Sequence, residues 1–337
     1  MTDDGHRQTN ARRRVPTRVA VVGMGQFGTL HLQAFQAHPD CEVVAVVDRD
    51  EQRALEAARR YGVERTFTSM TEMLERTHPD ALSIVTAGRD HLTPALEALS
   101  AGASVLLEKP VVMSGDEGDI LLAAERDSRG FVMPAHILRF TTAYRALHER
   151  VWAGAVGRPR ALSFRRHRTS DHDARFPDVH PAFMTTIHDV DLALWLTRAK
   201  PLTVTSTEVL VEGRAQPAVV WSQVQATDGS VWSFQTSWML SDDGALPDEL
   251  EVIGEDGLLS LAMVPQLREF GTATVAVDDA LTPPGRRGAL YAEIDHFLEC
   301  VRSSRASELI SLQEAVDGVR LAEQIVAQGI AVRRSEL

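Results

Sequence analysis

The sequence predicts an α/β protein in two parts: a doubly wound parallel sheet, then an α+β domain built on a large, mostly antiparallel open sheet. Between residues 18 and 125, short apolar strand patterns alternate with helix patterns, as in parallel strands joined by crossover helices. After residue 161, long segments alternate apolar and polar residues, which favours antiparallel strands with one covered face. A glycine-rich turn follows the first strand pattern, and such a turn is typical of nucleotide-binding sheets.

The individual elements follow from hydrophobic spacing. In the first part, apolar runs predict strands at 18–22, 42–47, 65–67, 81–86, 104–107 and 131–134. Amphipathic spacing predicts helices at 27–35, 51–61, 70–77, 90–101 and 120–128. In the second part, alternating segments predict strands at 161–168, 202–212, 218–226, 230–240 and 249–262, and helices at 289–303 and 312–332 close the chain.

These patterns divide the chain into three segments. Residues 1–16 are polar, and no apolar segment follows that can act as a secretion signal, so we expect a flexible tail. Residues 17–135 form the expected dinucleotide-binding domain. Residues 136–337 form the expected substrate-binding and oligomerisation domain, and its last helices can pack back on the first domain.

The composition favours a cytoplasmic protein that acts on small molecules. Of the 337 residues, 44% are hydrophobic and 24% are charged, which suits two globular domains. The net charge of -12 disfavours binding to nucleic acid or to an anionic membrane. No apolar stretch is long enough to span a bilayer. The two cysteines, Cys41 and Cys300, lie far apart, which excludes a disulfide framework and a four-cysteine metal site.

The glycine turn has the spacing of a dinucleotide-binding fingerprint. Gly23 allows the tight turn after the strand, Gly25 lets the backbone approach a pyrophosphate, and Gly28 lets the next helix pack closely. The pyrophosphate is expected to meet backbone N–H groups at the positive end of the helix dipole. Gln26 and Phe27, inside the motif, are therefore also predicted to contact the cofactor.

The end of the second strand bears on the choice of cofactor. Asp48 lies twenty positions after Gly28 and can accept hydrogen bonds from ribose hydroxyls, which favours NAD. Arg49 can bind a 2′-phosphate, so the sequence does not exclude NADP as the cofactor. The alternative role for Asp48 is a polar cap after a buried strand. Thr86 and His91, around the end of the strand at 81–86 and the start of the following helix, are further predicted cofactor contacts.

Several motifs resemble those of the glucose-fructose oxidoreductase and inositol dehydrogenase family, written Gfo/Idh/MocA. Glu108-Lys109-Pro110 lies about eighty residues after the glycine turn, and the segment 187–192, Ile-His-Asp-Val-Asp-Leu, lies about eighty residues further on. Segments 101–110, 135–140 and 154–159 are also similar to signatures of that family. The resemblance implies a Rossmann-type domain and a second domain whose open sheet packs into a homodimer or homotetramer. It also implies hydride transfer between NAD(P) and a hydroxyl carbon of a sugar, cyclitol or related compound.

The resemblance assigns catalysis to Lys109 and His188. Hydride transfer from an alcohol needs one group that takes the hydroxyl proton and one that stabilises the developing charge on oxygen. The family's lysine contacts the substrate hydroxyl and the nicotinamide ribose, and Pro110 restricts Lys109 to extended backbone conformations. Glu108 is expected to support the turn or the cofactor. The alternative role for Lys109 is a surface lysine beside Glu108.

His188 is predicted to share one helix face with Met184, Asp191 and Trp195. Asp191 can fix the tautomer of the imidazole, and a histidine that titrates near neutral pH can accept the alcohol proton. Other members of the family commonly carry an Asp at the position of Met184. A thioether cannot accept a proton at neutral pH.

Three interpretations follow from Met184. We favour the one in which Lys109 and His188 suffice. In the second, Asp189 or His180 replaces the missing carboxylate. In the third, dehydrogenase activity is lost and the protein is a cofactor-sensing binding or regulatory protein.

Substrate contacts are predicted at Arg139, Arg166, Arg168, Met184 and His188. Strand alternation places Arg166 and Arg168 on one face, just before a loop rich in His and Asp. If that loop borders the pocket, as the resemblance implies, either arginine can bind a phosphate or carboxylate; solvent-facing or interface positions are the alternative. Arg139 is a pocket residue by resemblance only. The spacing of His and Asp between residues 171 and 191 matches no common closed metal site, so we predict no metal.

Overall fold

A parallel sheet of six strands forms the first half of the protein. The computed structural model describes residues 15–241, 248–262, 266–270, 275–276 and 288–332. The strands are β1 (Thr17–Val22), β2 (Cys41–Val47), β3 (Thr66–Phe67), β4 (Ala81–Ile84), β5 (Ser104–Glu108) and β6 (Val132–Ala135). The helices between them are α1 (Gln26–Ala37), α2 (Glu51–Tyr61), α3 (Met70–Thr77), α4 (Leu92–Ser100) and α5 (Gly115–Asp127).

The strand order of this sheet creates a ligand site. It runs β3-β2-β1-β4-β5-β6, with every neighbouring pair parallel. Val22, at the end of β1, pairs with Val47 of β2 on one side and Ile84 of β4 on the other. The connections therefore reverse direction at β1, and ligands of such sheets bind outside the carboxyl ends of the strands at that point.

A mixed sheet of nine strands dominates the second half, in the order β14-β13-β12-β11-β7-β10-β9-β8-β15. Its strands are β7 (Pro159–Thr169), β8 (Pro201–Val209), β9 (Val219–Ala226), β10 (Val231–Leu240), β11 (Glu249–Gly254), β12 (Leu258–Ala262), β13 (Gln266–Phe270), β14 (Val275–Ala276) and β15 (Gly329–Val332). The helices are α6 (Thr142–Trp152), α7 (His172–Arg175), α8 (Ile187–Thr197), α9 (Ala289–Ser303) and α10 (Leu312–Ala327), with a π-helical turn at Ala182–Thr186. Only β7 with β10 and β8 with β15 pair in parallel. The predicted fold class is confirmed.

Two boundaries in the second half differ from the sequence prediction. The strand predicted at 249–262 is a hairpin, because the chain turns between Gly254 and Leu258 and β11 pairs with β12. The helix predicted at 312–332 ends at Ala327, and β15 follows and pairs with β8. The edge strand β8 has free backbone hydrogen-bonding groups that can pair with a further strand. The hydrophobic spacing of residues 312–332 gives no information about this pairing.

The last two helices pack on the first domain. Phe297 of α9 makes edge-on ring contacts with Phe35 of α1 and with Phe131 beside β6. On α10, Glu323 accepts a hydrogen bond from the N–H of Gly115. Both α9 and α10 therefore contact elements of the first domain.

The predicted tail lies mostly outside the described residues, which begin at residue 15. Within the described ranges, none of the helices combines the length and the apolar character that a membrane crossing requires.

Candidate active site

A cleft of about 1480 Å³ opens at the carboxyl ends of the parallel strands. Its walls include the residues at the ends of β1, β2, β4 and β5, and side chains of β7, α6 and α8 form the side that belongs to the second domain. Of the residues predicted as site residues, the cleft is lined by Gly23, Gly25, Gln26, Phe27, Asp48, Arg49, Thr86, Glu108, Lys109, Arg166, Arg168, Met184 and His188.

The glycine turn forms a cradle for a phosphate. Gly23 has φ +93°, and a Cβ there would lie 2.6 Å from the Val85 carbonyl oxygen. A Cβ on Gly28 would lie 1.7 Å from the Gly23 carbonyl oxygen. At Gly25 no atom lies within 4 Å of the Cβ position, and no side chain caps α1 at this residue. The N-terminus of α1 therefore offers an open space beside uncapped N–H groups, which suits a pyrophosphate.

Asp48 is held in place by the backbone around it. Its Oδ2 accepts a hydrogen bond of 2.7 Å from the N–H of Met24, and its Oδ1 accepts one of 2.9 Å from the N–H of Asp50. Arg49 points away from this carboxylate, with Nη1 3.5 Å from Asp90 Oδ2. A fixed carboxylate at the end of β2 fits the two hydroxyls of an adenosine ribose.

Three predicted contacts do not line the cleft. Gly28 faces the Gly23 carbonyl oxygen inside the glycine turn. His91 is buried, and its ring nitrogens lie 2.8 Å from the Pro110 carbonyl oxygen and 3.0 Å from the Thr86 carbonyl oxygen. It joins the loop after β4 to the turn after β5 and is not placed to touch a cofactor. Arg139 is only 1% exposed, because its guanidinium binds both carboxylate oxygens of Asp191, at 3.0 and 2.7 Å. Its predicted role in the pocket is therefore wrong for this structure.

Lys109 points into the cleft from the turn after β5. Its Nζ donates a hydrogen bond of 2.9 Å to the main-chain carbonyl oxygen of Met184 and lies 3.7 Å from the Met184 sulfur. Glu108 points backward, with Oε1 3.3 Å from His31 Nε2, while its Oε2 accepts the N–H of Lys109. Burial lowers the pKa of Lys109 to about 8, although the Glu108 charge opposes this. The nearby charges of Arg168 and Arg166 lower this pKa further.

His188 lines the same cleft from the first turn of α8. Its Nδ1 is buried and has no hydrogen-bond partner among the described residues, so the Nε2 side of the ring is the one that can meet a ligand. Burial, with the charge of Lys109 next in size, holds the pKa of His188 well below its ordinary value. The imidazole is therefore neutral at pH 7.

Asp191 does not orient His188, contrary to the sequence prediction. Both oxygens of the Asp191 carboxylate bind Arg139, and His136 Nδ1 lies 3.5 Å away. Helical spacing predicts that Asp191 lies near His188. It cannot show that a buried arginine from another segment binds the Asp191 carboxylate.

The two proposed substitutes for the missing family carboxylate are also engaged elsewhere. Asp189 is buried and accepts two hydrogen bonds from Arg166 through Oδ1, at 3.0 and 2.7 Å. His180 Nε2 lies 3.0 Å from Glu208 Oε1, and its Nδ1 accepts the N–H of Ala182. Of the three interpretations of Met184, the one based on these substitutes loses its support.

Two residues of this site are missed by the sequence reasoning. Asp248 accepts a hydrogen bond of 2.7 Å from Arg166 Nη1 and one of 2.7 Å from Arg168 Nη1. The Tyr144 hydroxyl accepts a hydrogen bond of 3.3 Å from Arg166 Nη2. Neither residue belongs to a motif. The sequence contained one indication of such a residue, the two arginines predicted on one strand face. If buried, these arginines require an acidic partner.

Among the described residues, no group of three or more His, Cys, Asp or Glu side chains is arranged to hold a metal ion. The charged and titratable side chains that line the cleft include Lys109, His188, Arg166 and Arg168 and the carboxylates of Asp48, Glu108 and Asp248.

The comparisons with known proteins agree with this geometry. Residues 17–136 match the family model described as "Oxidoreductase family, NAD-binding Rossmann fold", and residues 144–260 match the one described as "GFO/IDH/MocA C-terminal domain". The UDP-N-acetylglucosamine 3-dehydrogenase of Acidithiobacillus ferrooxidans is 28% identical over 296 residues, which cover 86% of this chain and 90% of that protein. The inositol 2-dehydrogenase of Rubrobacter xylanophilus is 30% identical over 254 residues, which cover 72% and 70%.

Solved structures show the same fold. A crystal structure of the A. ferrooxidans enzyme superimposes with a TM-score of 0.82 at 26% identity and covers 94% of this chain and 98% of that one. The scyllo-inositol dehydrogenase of Lactobacillus casei with bound NAD(H) and scyllo-inositol superimposes with a TM-score of 0.81 at 19% identity, covering 93% and 97%. The chain therefore belongs to the Gfo/Idh/MocA family of oxidoreductases with an NAD-binding Rossmann fold.

Proposed function

We propose that the protein transfers a hydride between NAD and a hydroxyl or keto carbon of a sugar, cyclitol or sugar derivative, with Lys109 as the proton-transferring group. The observation that supports this proposal is that Lys109 and His188 line the same cleft as the glycine turn. The names of the relatives, which are dehydrogenases of inositols and of a UDP-sugar, support the substrate class.

The cofactor is held by the first domain. The uncapped start of α1 at Gly25 would bind the pyrophosphate, and Asp48 would accept the ribose hydroxyls. A 2′-phosphate would meet the Asp48 carboxylate, which favours NAD over NADP. The bound nicotinamide supplies or accepts the hydride.

Lys109 moves the proton. A group is most effective in proton transfer when its pKa lies near the working pH, and the pKa of Lys109 is lowered to about 8. In alcohol oxidation the neutral amine takes the hydroxyl proton. In the reverse direction the ammonium returns a proton to the carbonyl oxygen and stabilises the developing charge there.

His188 orients the substrate hydroxyl instead of serving as the base. Burial, followed by the charges of Lys109 and Arg166, holds the pKa of His188 well below its ordinary value, so protonation of the ring in this position is costly. The neutral ring still offers one hydrogen bond to the substrate oxygen. This assignment revises the expectation that His188 accepts the proton.

The test is a panel of polyols, aldoses, uronic acids and sugar phosphates with NAD or NADP, followed by the absorbance of the reduced nicotinamide. We expect turnover with at least one member, and a Lys109→Ala variant that binds NAD normally but loses about 10³-fold in kcat. Tight cofactor binding with no turnover across the panel would instead favour a cofactor-sensing regulatory protein.

We also propose a cytoplasmic homodimer or homotetramer that forms through the outer face of the nine-stranded sheet. Val231 and Ile253, which are 41% and 45% exposed, both pair with Ala161 and form a short apolar row on this face. Trp221, which is 50% exposed, lies on the same face further along the sheet, opposite Gln235. Exposed apolar side chains on one face of a sheet are typical of an interface. Light scattering after gel filtration should give an oligomer for the wild type and a smaller species for Trp221→Glu.

A further inference from the structure

The arginines of the cleft differ in how many of their donors are free. Among the described residues that line the cleft from the second domain, the charged ones are Arg166, Arg168, Arg175 and Asp248. Arg166 is also paired with Asp189, which does not line the cleft, and Arg175 lies 3.5 Å from Asp171. Since buried charges need partners, the question is which arginine keeps donors for a ligand.

Arg166 uses four of its five N–H donors within the protein. Its Nε and Nη2 donate to Asp189 Oδ1, its Nη1 donates to Asp248 Oδ2, and its Nη2 also donates to the Tyr144 hydroxyl. The side chain is buried. Arg166 therefore builds the wall and keeps no pair of parallel N–H groups for a substrate anion.

Arg168 keeps one edge of its guanidinium free. Its Nη1 and Nη2 form a fork on Asp248, at 2.7 Å to Oδ1 and 3.0 Å to Oδ2, and Nη1 also donates to the His167 carbonyl oxygen. Within the described part of the chain, Nε–H and the second Nη2–H have no acceptor. The side chain is 17% exposed and lines the cleft. A guanidinium edge with two parallel N–H groups matches the two oxygens of a carboxylate or phosphate.

The position of this free edge relates it to the reaction. The charges of Arg168 and Arg166 act on both Lys109 and His188, so the two guanidiniums lie near the groups that handle the substrate hydroxyl. Asp248 is shared by Arg166 and Arg168, and Asp189 also pairs with Arg166. Among the described residues, no carboxylate lies against the Nε–Nη2 edge of Arg168, and a bound anion would supply one.

We propose that the substrate carries a carboxylate or a phosphate close to the reacting carbon, and that Arg168 binds this group through its Nε–Nη2 edge. Arg166 and Asp248 are positioning residues that fix the Arg168 guanidinium. This inference rests on the proposed function for the identity of the reacting carbon, and it names a substrate class within it: acidic sugar derivatives such as uronic acids, aldonic acids or sugar phosphates.

The experiment compares matched pairs of compounds that differ in the anionic group. The pairs are glucuronate with glucose, galacturonate with galactose, and glucose 6-phosphate with glucose. Comparison of the first two pairs with the third shows whether the site prefers a carboxylate or a phosphate. For the wild type we expect kcat/KM to favour the anionic member of at least one pair by 10-fold or more. In Arg168→Gln that preference should disappear, because the two charge-assisted hydrogen bonds to the anionic group are lost, while kcat/KM for the neutral member changes little.

Arg165→Gln is the matched control. Arg165 is the same residue type on the same strand, but it lies on the outer face and pairs with Glu249, so the preference should not change. Arg168→Lys keeps the charge but loses the fork, and we expect it to recover only part of the preference.

Binding is measured beside turnover, by titrating each pair into the protein with NADH and following nicotinamide fluorescence. A preference for the neutral member, or an anionic preference that survives in Arg168→Gln with normal NADH affinity, would overturn the inference. Anion binding that depends on Arg168 without any turnover would support the inference and contradict the proposed function. The two failures are therefore distinguishable.

Discussion

The Lys109 ammonium donates its hydrogen bond to the main-chain carbonyl oxygen of Met184, which lies one helical turn before His188. The acceptor is neutral, so the contact fixes the position of the ammonium without supplying a negative charge. This carbonyl lies in the π-helical turn Ala182–Thr186, and such turns are frequent at functional sites. The contact joins the turn after β5 to the helix that carries His188.

The pH dependence of alcohol oxidation should report Lys109. Because the neutral amine is the reactive form and its pKa is about 8, kcat/KM for oxidation should rise as the pH increases through about 8. The rate of the reverse reaction should fall over the same range. His188→Asn should lower both rates but leave their dependence on pH unchanged. A limb near pH 6 to 7 that disappears in His188→Asn would make His188 the base.

Met184→Asp should move the pH profile to higher pH. The sulfur of Met184 lies 3.7 Å from Lys109 Nζ, so a carboxylate there would stabilise the ammonium and raise the pKa of Lys109 by about 1 unit or more. Met184→Leu, which keeps the volume and adds no charge, should leave the profile in place. If the wild type is inactive and Met184→Asp gains activity, the protein is a disarmed relative of the dehydrogenases.

Asp48 should set the preference for NAD. A 2′-phosphate beside this carboxylate costs several kcal/mol, so we expect kcat/KM with NAD to exceed that with NADP by about 100-fold or more. Asp48→Ser should reduce this ratio, at some cost in NAD affinity, because the carboxylate also accepts the N–H of Met24. Arg49→Ala is the control, and a loss of NADP use in that variant alone would show that Arg49 binds the phosphate.

Glu293 should make stability depend on pH. The side chain is 0% exposed, neither carboxylate oxygen has a hydrogen-bond partner among the described residues, and burial holds its pKa well above the ordinary value. A carboxyl group with a raised folded-state pKa is harmless below its unfolded pKa of about 4.3 and destabilises the fold as the pH rises above it.

The variant that tests this is Glu293→Gln, which cannot ionise. Its Tm relative to the wild type should increase from pH 5 to pH 8.5, and about 1 kcal/mol corresponds to about 2–4 °C in a domain of this size. Glu299→Gln, on an exposed face of the same helix, is the control for an ordinary carboxylate. A Tm difference that is independent of pH would show that Glu293 is neutral over the whole range or is solvated.

The sequence was sufficient where local spacing carries the information. The turn at Gly23, Gly25 and Gly28 could be predicted because its spacing belongs to one strand-turn-helix unit, and the contact that excludes a Cβ at Gly28, with the Gly23 carbonyl oxygen, lies within that unit. The contact that excludes a Cβ at Gly23 is with Val85, just after β4, and only the tertiary structure brings it there. The parallel sheet could be predicted because its strand and helix patterns are also local. The edge strand β15 was missed because its pairing with β8 joins residues more than a hundred positions apart.

The sequence by itself determined the two sheets, the phosphate cradle and the presence of a lysine and a histidine in recognisable motifs. Only the tertiary structure decided what these groups face. Asp191 accepts its hydrogen bonds from Arg139. Asp248 accepts hydrogen bonds from Arg166 and Arg168. Lys109 donates to a neutral main-chain carbonyl oxygen. The physical reason is that the spacing of hydrophobic residues involves positions close together in the chain. The partner of a buried charge, in contrast, depends on which distant segment packs against it.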